Sequence, residues 1–312
     1  IGWALENNDI DISSVLDKLS HSDENVRKDA AYTLGKLGPN AKIAIPLLIE
    51  TLKDEKLDVR EAAVYALGCI GQEAKTIVPA LINLLKDENF GVRKTAVSAL
   101  GNIGVAAIPT ILNALKDETS SSSFLDKEKP IRKAARKIFK RIGSDAVPAL
   151  VEALKDDTVR LAAIDALGFV GHEAKSAIPA LIEVLKGDNA DVLDATADAL
   201  RKIDLERGTV NLIIDILIKA LENKNYDNIR REAAHALSYF FPENETAAFA
   251  LTEALKDENV NVRRNAAHTL VHIFHSEETV IPVLVEALKD EDADVCITAM
   301  EDLGRIGSSA KA

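Results

Sequence analysis

Three histidines and a glutamate are the first residues whose types and spacing could do chemistry. His268 and His272 stand four apart, on one face of any helix that holds them, while His235 and Glu301 lie 33 residues before and after His268. If each occupies the same place on neighbouring helices about 10 Å apart, these side chains can converge on a zinc-type ion, which takes imidazole nitrogen and carboxylate oxygen. Histidine pairs at this spacing are also common on exposed faces, where they respond to pH, so the sequence leads us to expect no metal and no other cofactor. Covalent catalysis has less support. Cys69 and Cys296 are the only cysteines, and nothing in their spacing brings either to a histidine and an acid.

A second group is electrostatic. Between Lys127 and Arg141 the chain places Lys127, Lys129, Arg132, Lys133, Arg136, Lys137, Lys140 and Arg141 against Glu128 alone, in a protein whose net charge is −12. Such a reversal invites an anionic partner. Nucleic acid is not expected, because Phe139 is the only aromatic residue among these cations and stacking platforms are otherwise scarce. Two cysteines make no disulfide framework and fit a reducing compartment, so a cytoplasmic location is expected. No uninterrupted apolar run reaches the roughly 18 residues that a membrane span needs, and no membrane partner is expected.

The elements that carry these groups repeat. Val26-Arg27, Val59-Arg60 and Val92-Arg93 are 33 residues apart, and Ile131-Arg132, Val159-Arg160, Ile229-Arg230 and Val262-Arg263 continue the series, with Val192-Leu193 and Val295-Cys296 as degenerate copies. That makes nine units, each reading as two helices. Proline opens the first helix, at Pro46, Pro79, Pro109, Pro148, Pro179 and Pro282, where its missing N–H costs nothing. The second runs like Val59-Arg-Glu-Ala-Ala-Val-Tyr-Ala-Leu-Gly-Cys-Ile-Gly, with one apolar face and a glycine just past its end. Neither helix can bury its stripe alone, so stacking must complete the core. Cys69 and Cys296 are then seven units apart.

These motifs, Val-Arg-x-x-Ala-Ala-x-x-Leu-Gly-x-Ile-Gly followed by Ile-Pro-x-Leu-Ile-x-x-Leu-Lys-Asp, resemble HEAT repeats of the short bacterial type also found in phycobilisome lyases. The resemblance implies an all-α fold, a right-handed superhelical α-solenoid of about nine two-helix repeats over residues 1–312. It further implies a ladder in which the aspartate ending the first helix pairs with the arginine starting the second: Asp54 with Arg60, Asp87 with Arg93, Asp117 with Arg132, Asp156 with Arg160, and Asp257 with Arg263. Gly187 and Leu193 replace both members in the sixth unit, which marks it as a point of flexure. The metal hydroxylase of this repeat class resembles a set of His-Glu dipeptides after the helix-opening arginine, and none of the nine positions here carries one. Neither end reads as a polar cap, so the expectation is a monomeric fragment of a longer array or multidomain protein.

Two further features bear on function. Residues 117–129 form a serine-rich insertion between the third and fourth units. Two variable positions, four apart, recur on every second helix, the helix expected to line the concave side. They place Tyr32 and Lys36, Tyr65 and Cys69, Lys137 and Arg141, Asp165 and Phe169, His235 and Tyr239, and His268 and His272 along one stripe. With Lys133, this stripe is the expected contact surface for a protein or peptide partner that presents an anionic segment to the basic run. The function expected is a non-catalytic scaffold. The alternative that the resemblance allows is a bilin lyase or bilin-protein chaperone subunit.

Overall fold

The computed structural model describes residues 11–71, 73–119, 129–187, 189–203, 207–240, 244–273 and 277–309. The chain divides into two compact units, Ile1–Ala174 and Lys175–Ala312. The first holds α1 (Ile12–Lys18), α2 (Glu24–Leu37), α3 (Ile45–Thr51), α4 (Leu57–Ile70), α5 (Ala74–Asn83), α6 (Phe90–Ile103), α7 (Ile108–Thr119), α8 (Pro130–Ile142), α9 (Val147–Ala153) and α10 (Arg160–Val170). The second holds α11 (Ile178–Leu185), α12 (Ala190–Lys202), α13 (Arg207–Leu221), α14 (Asp227–Phe240), α15 (Glu245–Ala254), α16 (Val260–Ile273), α17 (Glu277–Ala287) and α18 (Ala293–Ser309). Among the described residues these are nine helix pairs and no strand, so each unit is a short all-α solenoid.

Within the first unit the second helices pack in succession, α2 on α4, α4 on α6, α6 on α8 and α8 on α10, and each first helix lies against its own second helix. Small residues set the spacing. A Cβ on Gly68 would sit 2.7 Å from the Cα of Ala99, so α4 and α6 approach backbone to backbone there. Leu34, Leu48, Leu67, Leu81, Leu100 and Leu150 are fully buried in the layer so formed, and it is this stacking that removes each helix's apolar stripe from water. In the second unit α12, α14, α16 and α18 stack in the same way, with Ala267, Leu284, Ala287, Val295 and Ala299 forming one buried cluster.

The helix ends follow the expected punctuation with two departures. Gly71 closes α4 in the left-handed region at φ 58°, where a side chain would be strained. Pro46, Pro148 and Pro179 stand in the first turns of α3, α9 and α11. Pro79 and Pro282 instead lie inside α5 and α17. In those two pairs the helix begins several residues earlier and takes up the lead-in that elsewhere forms a separate 3₁₀ turn.

Phe90–Asp117 has the length and hydropathy of a membrane span, although Arg93, Lys94, Lys116 and Asp117 interrupt or end its apolar run. Gly104 at φ 68° divides it into α6 and α7, and Val92, Leu100, Ile108, Ile111 and Leu115 from the two helices are buried. Of the insertion placed at 117–129, residues 117–119 belong to α7 and Lys129 caps α8. The remainder lies outside the described residues.

Candidate interaction surface

The charged ladder joins successive helix pairs, in a register different from the one expected. Asp54 turns its carboxylate away from Arg60. Its Oδ1 accepts from the Lys56 amide at 2.9 Å, and both oxygens take the fork of Arg27 from the preceding pair, Nε at 2.7 Å and Nη2 at 3.0 Å. Arg60 donates to the Asp54 backbone carbonyl at 2.8 Å, as Arg93 does to that of Asp87 at 2.6 Å. The same geometry recurs in the second unit. Arg263 donates through Nη1 to the Asp257 carbonyl at 2.9 Å and through Nε and Nη2 to the Asp290 carboxylate at 2.7 and 3.0 Å, while Asp257 takes Arg230 at 2.9 and 3.1 Å. The physical cause is local: each carboxylate is engaged by the amide two residues on, which aims it at the neighbouring pair. Arg27 thereby holds the Asp54 carboxyl below its ordinary value, and Arg263 does the same for Asp290. Since the rungs cross between pairs, Gly187 and Leu193 stand in different rungs, and their loss together is not the loss of one ion pair.

Two of the five expected pairs involve a different correction. Asp156 accepts from the Thr158 amide, and Arg160 reaches the Leu154 carbonyl and the exposed Asp157. Asp156 and Arg160 stand four positions apart, against six for Asp54 and Arg60, so the two turns place their charges differently. Arg132 pairs with Asp165 on α10 at 2.7 Å, both side chains being buried, in place of Asp117.

That contact also revises the stripe. Phe169 is 3% exposed, roofed by the guanidinium groups of Arg132 and Arg136 at 5.6 and 5.2 Å from its ring centre. Asp165 and Phe169 therefore belong to the packing of α8 on α10 and present nothing to a partner. Towards α2 the stripe is open. Tyr32 and Tyr65 are 38% and 41% exposed with ring centres 5.5 Å apart. Gly35 makes room for this, since a Cβ there would lie 2.9 Å from the Tyr65 ring. A hydrogen bond with the Cys69 side chain raises the Tyr65 phenol's pKa. Lys36 is exposed beside them. On α8 the buried Ile131, Ala135, Ile138 and Phe139 leave Lys133, Lys137, Lys140 and Arg141 on the outer side, and Arg141 donates to Asn102 of α6 at 2.8 Å.

In the second unit His235 is half-buried and its Nδ1 lies 2.9 Å from Oδ1 of Asp194 on α12, a hydrogen bond that raises the imidazole pKa. Of the candidate ligands His235, His268, His272 and Glu301, His235 is the one that joins a ligand-type group among the described residues. Among the described residues, the one group whose ligand-type atoms come together is Asp194, Glu232 and His235, all within 4.8 Å of one another. His268 and Glu301 are exposed, and the side chains of Tyr239 and His272 lie outside the described residues. Glu232 was missed in the sequence, although its spacing of three from His235 on one helix is the signal that could have found it. Asp194, 41 residues before His235, needed the register of α12 against α14.

The model for HEAT repeats matches residues 12–78, 45–122, 122–201 and 214–304, and the chain belongs to the HEAT-repeat family. Among solved structures it is similar to the karyopherin Kap121p bound to the extreme C-terminus of the protein phosphatase Cdc14p, at 15% identity and TM-score 0.50, over 93% of this chain and 41% of that one. It is also similar to the CpcE–CpcF complex of phycocyanin lyase from Nostoc sp. PCC7120, at 25% identity, TM-score 0.33, 91% of this chain and 96% of that one. An engineered protein is similar at 24% identity, TM-score 0.37, 96% and 89%. No curated protein matches. HEAT-repeat solenoids are generally non-catalytic, and the fold is that of a protein-interaction scaffold.

Proposed function

We propose that this chain is a non-catalytic interaction module that holds an extended, acidic segment of a partner protein along the second helices α2, α4, α6 and α8. The observation that carries the reading is the continuity of one exposed stripe over four packed helices: Tyr32 and Lys36, then Tyr65, then Asn102, then Lys137 and Arg141, tied together by the Tyr32–Tyr65 contact and the Arg141–Asn102 hydrogen bond. Exposed tyrosines give large contact area at low entropic cost, and lysines supply long-range attraction for carboxylates. The karyopherin of similar fold holds a terminal segment of another protein, and an extended ligand suits a surface built from repeated shallow positions.

Fluorescence anisotropy with a labelled Asp/Glu-rich peptide tests this. Exchanging Lys133, Lys137 and Arg141 together for Glu is expected to weaken binding at least tenfold, about 1.4 kcal/mol, and Tyr65→Ala to weaken it less. Added salt should lower the affinity of the parent far more than that of the reversed variant. Equal affinities for parent and reversed variant would refute the assignment.

A further inference from the structure

The second unit carries a group of side chains that the interaction surface does not use. Glu232 and His235 lie one turn apart on α14, on the same face, and Asp194 faces them from α12, which packs on α14. One donor atom from each comes within 4.8 Å of the others, and all three residues are half-buried. The Asp194–His235 hydrogen bond at 2.9 Å orients the imidazole. Arg231 holds one oxygen of Glu232, Nε at 2.9 Å and Nη2 at 2.7 Å, so the carboxylate is fixed as well. Beside the group, Asn189, Asp191, Asn225, Tyr226, Asp227 and Arg231 line an open cleft of about 640 Å³.

We propose that Asp194, Glu232 and His235 bind a divalent transition-metal ion of the zinc class, which ties α12 to α14 inside the second unit. Two carboxylates and one imidazole are a donor set that zinc accepts, with three protein ligands and a fourth position for water. Donor atoms on one tetrahedral ion stand roughly 3.4 Å apart given metal–ligand distances near 2.1 Å. The observed atoms lie within 4.8 Å of one another, so ligation asks side-chain rotation to draw Glu232 in and to exchange the Asp194–His235 hydrogen bond, at 2.9 Å, for bonds to the ion. The half-burial of all three residues leaves the group open to solvent, from which a fourth ligand water can come. Calcium and magnesium fit less well, because both prefer all-oxygen shells of six or more ligands.

Isothermal titration of the whole chain with zinc chloride, repeated with cobalt(II) to read its visible spectrum, tests the site. The expected result is one equivalent bound, a four-coordinate cobalt spectrum, and an affinity at least tenfold weaker in both His235→Ala and Glu232→Gln, with His268→Ala unchanged. Circular dichroism accompanies each variant, and Glu232→Gln, which keeps the side-chain volume, decides the matter if His235→Ala loses helicity. Zinc should also raise the melting temperature of the parent and leave that of Glu232→Gln where it was. Absence of binding below millimolar zinc, or binding that both variants retain in full, overturns the proposal.

Discussion

The two units apply one motif with different fastenings. In Ile1–Ala174 five second helices stop at a glycine of positive φ, namely Gly38, Gly71, Gly104, Gly143 and Gly171, whereas no described glycine of Lys175–Ala312 has one. The first unit also brings α4 and α6 together across Gly68. The second leans on buried guanidinium forks: Arg230 is 2% exposed and engages Asp227, Asp257 and the Asn223 carbonyl, and Arg263 engages Asp290. Glycine stops of positive φ and the Gly68 contact set the first unit apart, while buried charge serves both, through Arg132–Asp165 in the first and through Arg230 and Arg263 in the second. A repeat needs only that its neighbour cover its apolar face, so how the edges are fastened is free to differ.

The sharpest way to break this comparison is Arg230→Ala. It leaves Asp257 without its guanidinium partner, and losing one member of a buried pair destabilises by about 3 kcal/mol. Native-state hydrogen exchange should show that loss in α14 and α16, with α2 and α4 unchanged. A cost below 1 kcal/mol would mean that the second unit does not depend on its rungs. Next comes Gly68→Val, which places a branched side chain against the Ala99 backbone. Overpacking of this kind costs about 2 kcal/mol, and urea unfolding followed by a probe on α4 should register it. Gly71→Ala is the milder backbone test, at roughly 1 kcal/mol for forcing a Cβ into the left-handed region, with Gly71→Asn recovering part of it.

The sequence showed the architecture and less of the site, for physical reasons that differ by residue. Period, proline and glycine are local signals, and they placed nine helix pairs because each pair obeys the same propensities. Arg60 and Asp54 were recognised as ladder members, yet the Asp54 carboxylate takes Arg27 from the preceding pair and Arg60 meets Asp54 only at its carbonyl, because the aim of a carboxylate depends on which amide already holds it. Phe169 looked like a contact residue, since a variable position on a second helix is normally exposed. What buries it is the unusual content of α8, where Arg132 and Arg136 reach across to its ring. Asp194 carried no sequence signal at all, because its meaning lies in how α12 and α14 are set against each other. Tyr32, Lys36 and Tyr65 are exposed, as helical spacing alone led us to expect, and contact with a partner there is what we propose.

The smallest expected effect concerns a feature that both units share, and so it sharpens the comparison from the other side. Arg27 lowers the folded-state pKa of Asp54, and Arg263 lowers that of Asp290, from an ordinary 3.8. A carboxyl whose pKa is lowered by folding contributes stability that is fully present above its unfolded value. That contribution is lost as pH falls through the lower folded value, because the folded state must then take up a proton that breaks the ion pair. Urea midpoints should therefore stay level from pH 7 to about 5 and fall below 3.8 in both units. Asp54→Asn should flatten the acid limb of the first unit only, and Asp290→Asn that of the second only. Asparagine keeps one acceptor oxygen for the guanidinium, so each change stays below the effect of Arg230→Ala. If one substitution flattens both limbs, the two units unfold as one cooperative body, and the division of fastenings between them has no separate thermodynamic meaning.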